Sequence, residues 1–221
     1  MKIPESNNLR KHRVNASGAS SSAHLREFGE VNQANNPIEV SRMKHYDFEP
    51  DEQMSAVIGL LHSMVIYNYQ RLKRLVGGLT QEEIDYKGTN NELNSIAQLL
   101  RHLAVVDLHW VYRLQSMDIP KELKERFGSM YDADGKLPFI KDISLETLLG
   151  EYDYIQDQLK DVCTKLSDDD LVRIVPFENG NTATIQWAIW HVADHSRHHY
   201  ANTYLDQDTR FKSEESKVST K

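Results

Sequence analysis

Four stretches of this chain repeat apolar residues about every 3.6 positions, and that period fixes what the chain builds. In the first, over 52–76, Met54, Val57, Ile58, Leu61, Val65, Leu72, Leu75 and Val76 share one helical face. Gly77-Gly78 stops it. A short piece opens on the capping box of Thr80 and Glu83. The second stretch starts near Asn94 or Ser95 and ends before Pro120, with a stripe of Ile96, Leu99, Leu100, Leu103, Trp110 and Leu114. A long polar link with Gly128, Gly135 and Pro138 follows. Ser144 is a good N-cap for the third stretch, which carries Leu145, Leu148, Leu149, Tyr152, Ile155, Leu159, Val162, Cys163 and Leu166. Residues 171–177 read as short and extended, and Asn179-Gly180 as a turn. Thr184 caps the fourth stretch, which runs to about Leu205. The expected fold is all-α: an antiparallel four-helix bundle in which the long links require at least one crossover.

Two segments echo each other. Leu79 to Ile84 parallels Leu166 to Leu171, and Ser95-Ile96 leading to His102 parallels Thr184-Ile185 leading to His191. The bundle therefore reads as two helical pairs, each entering its second helix in the same way.

The domain organisation follows from where the period stops. Residues 1–48 show no sustained period and contain Ser-Gly-Ala-Ser-Ser-Ser and Asn-Asn-Pro, so they read as a disordered extension. Glu5, Glu27 and Glu30 argue against a transit peptide, and no apolar run marks a secretory signal. Met43 is a candidate natural start; an N-terminal peptide from before it, in mass spectra of the native protein, would remove that idea. The bundle occupies 49–206, and 207–221 is a polar C-terminal tail. Net charge is −7, and residues 1–44 hold seven basic and four acidic side chains, so the remainder carries −10. A domain that acidic lacks the footprint of a nucleic-acid binder. No run of about 18 apolar residues points to a membrane span. A single cysteine, Cys163, allows no internal disulfide, which makes the reducing cytoplasm the simplest location.

The chemistry lies in the fourth stretch. Four of the chain's ten histidines fall within nine positions there. Turned at about 100° per residue, Ile185, Ala188 and Val192 mark the inward side, and His191, His195, His199 and Asn202 lie with them. Arg197, Tyr200 and Tyr204 point the other way. Burying imidazoles without partners is costly. Histidines four apart stand one above the other, about 6 Å along the axis, so one ion can take a nitrogen from each. His102, at the shoulder of the second helix beside Leu99 and Val106, supplies a further ligand. Neutral imidazole binds zinc, nickel or iron near neutral pH. Three such ligands add no charge, so the ion keeps its Lewis acidity, and its open positions hold water or a thiolate. His191 lies inward too, four before His195; it reads as lining the pocket, with a His191/His195 ligand pair as the rival arrangement. Asp107, mid-stripe, needs a partner: a Tyr hydroxyl or an Arg, a ligand histidine to orient, or a role as base. His62 is expected at a surface or rim position, with a fourth-ligand role as the lesser alternative, His109 exposed, His198 structural, and Cys163 as core filling.

The segment Asn94 to His102, with Asp107 and Trp110 after it, resembles the second helix of the DinB-like metal-binding bundle superfamily, which includes bacillithiol- and mycothiol-dependent enzymes. The segment Trp190 to His199 resembles its fourth helix. The resemblance covers roughly 51–205 and implies His102, His195 and His199 as the ligands of one divalent ion, zinc first, with nickel, manganese or iron as alternatives. Tyr200-Ala201-Asn202 stands where Arg-Gly-Gln is common in the family, a departure that touches sub-family and substrate rather than the triad. The resemblance further implies a small-molecule substrate, a low-molecular-weight thiol as co-substrate, and a homodimer. The expected activity is a thiol-dependent S-transferase, or a hydrolase, acting on small electrophiles. The alternative is a bundle that binds a metal or small molecule without chemistry. No general base is identified in the sequence.

Overall fold

The computed structural model describes residues 47–218, with side chains through Ala201 and at Thr203. The N-terminal extension, apart from Asp47 and Phe48, lies outside the described residues, as does the Met43 question. The elements are α1 (Ala56–Val76), α2 (Gln81–Asp85), α3 (Ile96–Leu114), α4 (Lys121–Phe127), α5 (Leu145–Cys163), β1 (Ile174–Pro176), β2 (Thr182–Thr184) and α6 (Ile185–Val218). Helices α1, α3, α5 and α6 are the four expected.

Their starts are chemically explicit. Ser95 and Gln98 form a full capping box on α3, and Ser144 Oγ accepts from the Thr147 amide on α5 at 3.1 Å. Thr184 Oγ1 accepts from the Trp187 amide on α6 at 3.2 Å. Helix α1 is capped from a distance. Ser55 makes no side-chain cap, and the Asp168 carboxylate accepts the Val57 and Ile58 amides at 3.1 Å instead. An anion at the positive end of a helix is favourable, and these bonds hold the Asp168 carboxyl below its ordinary range.

Contacts between helices set their directions. Asn68 of α1 donates to the Ala193 carbonyl of α6 at 2.8 Å, and both helices start near the 3-10 turn Asp168–Val172, so they run parallel. His102 of α3 meets His195 and His199, whereas Trp110 further along meets Trp187, so α3 and α6 are antiparallel. Arg101 pairs with Glu151, and Asp107 meets Tyr152 and Gln156, so α5 runs parallel to α3. The order is up, down, down, up, and the connection over 115–144 is the crossover.

That crossover departs from a bare link. It contains α4, ended by Gly128 at φ 79°, and returns over α3, where Gln98 Nε2 donates to the carbonyls of Leu137 and Pro138 at 3.0 Å. As a result α3 is buried on nearly every side rather than along one stripe. His109, expected exposed, is half-buried for this reason. Residues 171–177 hold β1, which pairs antiparallel with β2, Val175 opposite Ala183, across the Asn179-Gly180 turn. The two echoing segments take related forms: α2 and the Asp168–Val172 turn both open on capping boxes. Helix α1 begins at Ala56, not near 52. Helix α6 runs to Val218, past the expected end at Leu205 and into the segment read as a tail. Residues 206–218 contain no Gly or Pro to stop it.

The core is filled by Ile58 and Leu72 of α1, Leu103 and Trp110 of α3, Ile155 and Leu159 of α5, and Ile185 and Val192 of α6, all fully buried. Each large apolar side chain so placed stabilises the fold by roughly 1.5–3 kcal/mol. Cys163 lies among them, and burial pushes its thiol up to about 12. Among the described residues, no helix is long and apolar enough to cross a membrane.

His62, expected at the rim, is 4% exposed, and its Nε2 is buried without a partner. Burial, with help from the Lys160 ammonium, lowers its pKa to about 4, against a small opposing pull from Asp51. A folded pKa below the unfolded value makes the neutral ring a source of stability above pH ~6.5 that is lost as pH falls toward 4. Between pH 7 and 5, the wild type should lose about 2 kcal/mol more than His62→Leu. Urea unfolding at both pH values checks this, and equal losses would remove His62 from the account.

Candidate metal centre

The histidines of α6 occupy the edge of its buried stripe. Ile185, Ala188, Ile189, Val192, Ser196 and Thr203 face the core, and His191, His195 and His199 are half-buried beside them. Tyr200, expected to face outward, is half-buried, with the Arg71 guanidinium over its ring at 4.6 Å. The Asn202 side chain lies outside the described residues.

His102 reaches this edge from α3 and is 3% exposed. Its ring centroid lies 5.2 Å from that of His195 and 5.0 Å from that of His199. His102, His195 and His199 each offer a ring nitrogen, and the three nitrogens lie within 4.8 Å of one another. His195 and His199 point Nε2 at Nε2, 3.1 Å apart. Two nitrogens bound to one tetrahedral zinc at 2.0–2.1 Å stand about 3.3 Å apart, so the pair is already near ligand spacing. The Nδ1 atoms of all three rings are buried without a hydrogen-bond partner.

All three rings are held neutral. Burial, then the neighbouring His199, His102, His191 and His198, lowers His195 to about 3. Burial, then His102 and His198, lowers His199 to about 4. Burial also lowers His102, partly opposed by the Met130 backbone and the Glu178 carboxylate. Proton-free imidazoles crowded together, with buried nitrogens left over, are the donor set a divalent cation takes. These residues could hold a metal ion.

His191 stands apart from the triad. It stacks on Trp187, with centroids 4.5 Å apart and planes 9° from parallel, and on His195 at 5.7 Å. Trp110 and Phe177 pack against it at 5.7 and 6.0 Å. His198 is exposed and meets His199 edge-on at 5.1 Å. Among the described residues, Asp107 hydrogen-bonds no histidine. Its Oδ2 accepts from Tyr152 Oη and Gln156 Nε2, both at 2.8 Å, the partnered interior role anticipated for it.

Three neighbours of the site escaped the sequence. The Tyr131 ring, from the crossover, packs on His102 at 5.5 Å. Phe177, at the end of β1, closes the aromatic group around His191. The Glu178 carboxylate sits close enough to raise the pKa values of His102, His191 and Tyr131. The Asn179-Gly180 turn was the one available signal, and it says nothing of what the turn faces.

The chain matches the DinB superfamily over residues 66–202, a span that takes in every member of the triad. It is also 39% identical over 157 residues to "Uncharacterized protein YkkA" of Bacillus subtilis (strain 168), covering 71% of this chain and 89% of that protein. The helical bundle agrees with this sequence relationship, and the chain belongs to the DinB superfamily.

Proposed function

We propose that the protein is a metal-dependent enzyme that uses His102, His195 and His199 to hold one divalent ion, zinc first. The observation that carries this reading is the convergence of three neutral imidazole nitrogens within 4.8 Å, from two helices, with no acid among them. When bound, such an ion lowers the pKa of a coordinated thiol or water and so supplies a nucleophile at neutral pH. The chain's own part is to hold the imidazoles unprotonated and to frame the approach. Trp187, His191 and Phe177 form an aromatic ledge on one side, and Tyr131 stands over His102 on the other. The reaction we favour is transfer of a low-molecular-weight thiol to a small electrophile, with hydrolysis of such electrophiles as the near variant. A cytoplasmic homodimer is the form in which we expect it.

Zinc-loaded protein incubated with L-cysteine and 1-chloro-2,4-dinitrobenzene tests the reaction. Sulfur bonds to the ring carbon, chloride leaves, and the thiol proton goes to buffer. Turnover above the solution rate, abolished by a chelator and restored by zinc, is expected. If neither this thiol nor others of its class turn over, while metal still binds, the protein is a binding bundle without chemistry.

A further inference from the structure

A cleft that includes none of the triad lies beside the aromatic group, where Arg113 covers the Trp110 and Phe177 rings. It has a volume of about 430 Å³ and lies where the end of α3, the start of the crossover and β1 meet. Its walls include His109, Arg113, Lys124 and Pro176, and Asp118 is its one acidic residue. In a chain of net charge −7, this is a local reversal of sign.

Three features make the basic groups available to a ligand. The Arg113 guanidinium lies over the Trp110 ring at 5.0 Å and the Phe177 ring at 5.7 Å, so two aromatic faces fix its plane. Neither Arg113 nor Lys124 forms a salt bridge among the described residues. His109 is half-buried between them, and burial followed by the charges of Arg113 and Lys124 lowers its pKa, which leaves a neutral ring able to donate one hydrogen bond. The end of α3 is also less repellent to an anion than a bare helix terminus. Its last carbonyls are engaged: Tyr112 by the Met117 amide, Arg113 by the Ser116 amide, and Leu114 by Arg173 Nη2.

We propose that this cleft is an oxyanion-binding site, in which Arg113, Lys124 and His109 take a phosphate or carboxylate group of a small molecule. A planar guanidinium suits either group through paired N–H bonds, and Lys124 adds a mobile point charge. The site stands independently of the metal reading, since none of its residues belongs to the triad.

Isothermal titration of the full chain with inorganic phosphate, and separately with succinate, tests it, and the stronger response identifies the group. Binding is expected to weaken at least tenfold in Arg113→Gln/Lys124→Gln and to persist in His195→Ala. Lys124→Gln alone, at an exposed position, guards against misfolding of the double variant and should weaken binding severalfold. The proposal is overturned if neither anion binds at tens of millimolar. It is equally overturned if binding survives the double variant, or if His195→Ala is the change that removes it.

Discussion

Replacing His195 or His199 by alanine is expected to abolish stoichiometric metal binding, with an affinity loss beyond about 100-fold, more than loss of an outer-shell partner costs. Each substitution removes one of the two nitrogens that already face each other at 3.1 Å. What remains is a pair of imidazoles from two helices, too few to displace an ion's water shell. His102→Ala should do the same by leaving the α6 pair without its partner from α3. His191→Ala should retain the ion, because that ring is engaged in stacking on Trp187 rather than in the nitrogen cluster. Elemental analysis of the four variants beside wild type checks this. Metal lost in His191→Ala and kept in His199→Ala would move the site one turn down α6.

The second large effect is on stability. Asp107→Ala is expected to destabilise the fold by about 2–4 kcal/mol, because it strands two buried donors, Tyr152 Oη and Gln156 Nε2. Asp107→Asn should stay within about 1 kcal/mol of wild type near pH 7. Its oxygen keeps both bonds, and its new amide takes the place of Oδ1, a buried atom that already lacks a partner. The pH dependence separates the two substitutions further. Burial raises Asp107 to about 7, against the lowering pull of Tyr152 and Gln156. A folded pKa above the unfolded value gives stability that is full below pH ~4 and lost as pH rises through 7. Asp107→Asn should therefore gain on wild type between pH 5 and 8, read from urea midpoints at each pH. A constant gap would mean that the carboxyl does not titrate in that range.

The fold was legible because its signals are local. The 3.6-residue stripes, the Ser95, Ser144 and Thr184 caps and the Gly77-Gly78 stop are each carried by a few neighbouring residues. The histidine cluster was legible for a related reason. Spacing along one helix dictates that His195 and His199 meet, and His102 needed only the antiparallel pairing of α3 with α6. What depended on distant chain returning was not legible. No local pattern tells that Asp168 caps α1, that the crossover covers α3 and buries His109, or that Tyr131 and Glu178 come to His102. His62 was misplaced for the same reason: the segment at Asp51 and Lys160 of α5 close over a helix shoulder that a single-helix projection leaves open. The end of α6 was placed too early because a polar run was read as a tail beyond the helix, whereas a polar run free of Gly and Pro propagates a helix already begun.

Anomalous diffraction at the zinc edge, from crystals of the zinc-loaded full chain, tests the central claim most directly. The account predicts one peak per chain, bonded to nitrogens of His102, His195 and His199 at about 2.0–2.1 Å, with at least one further position held by solvent. No peak at the triad, a peak held by His191 in place of one of the three, or a sphere closed by four protein ligands would contradict it.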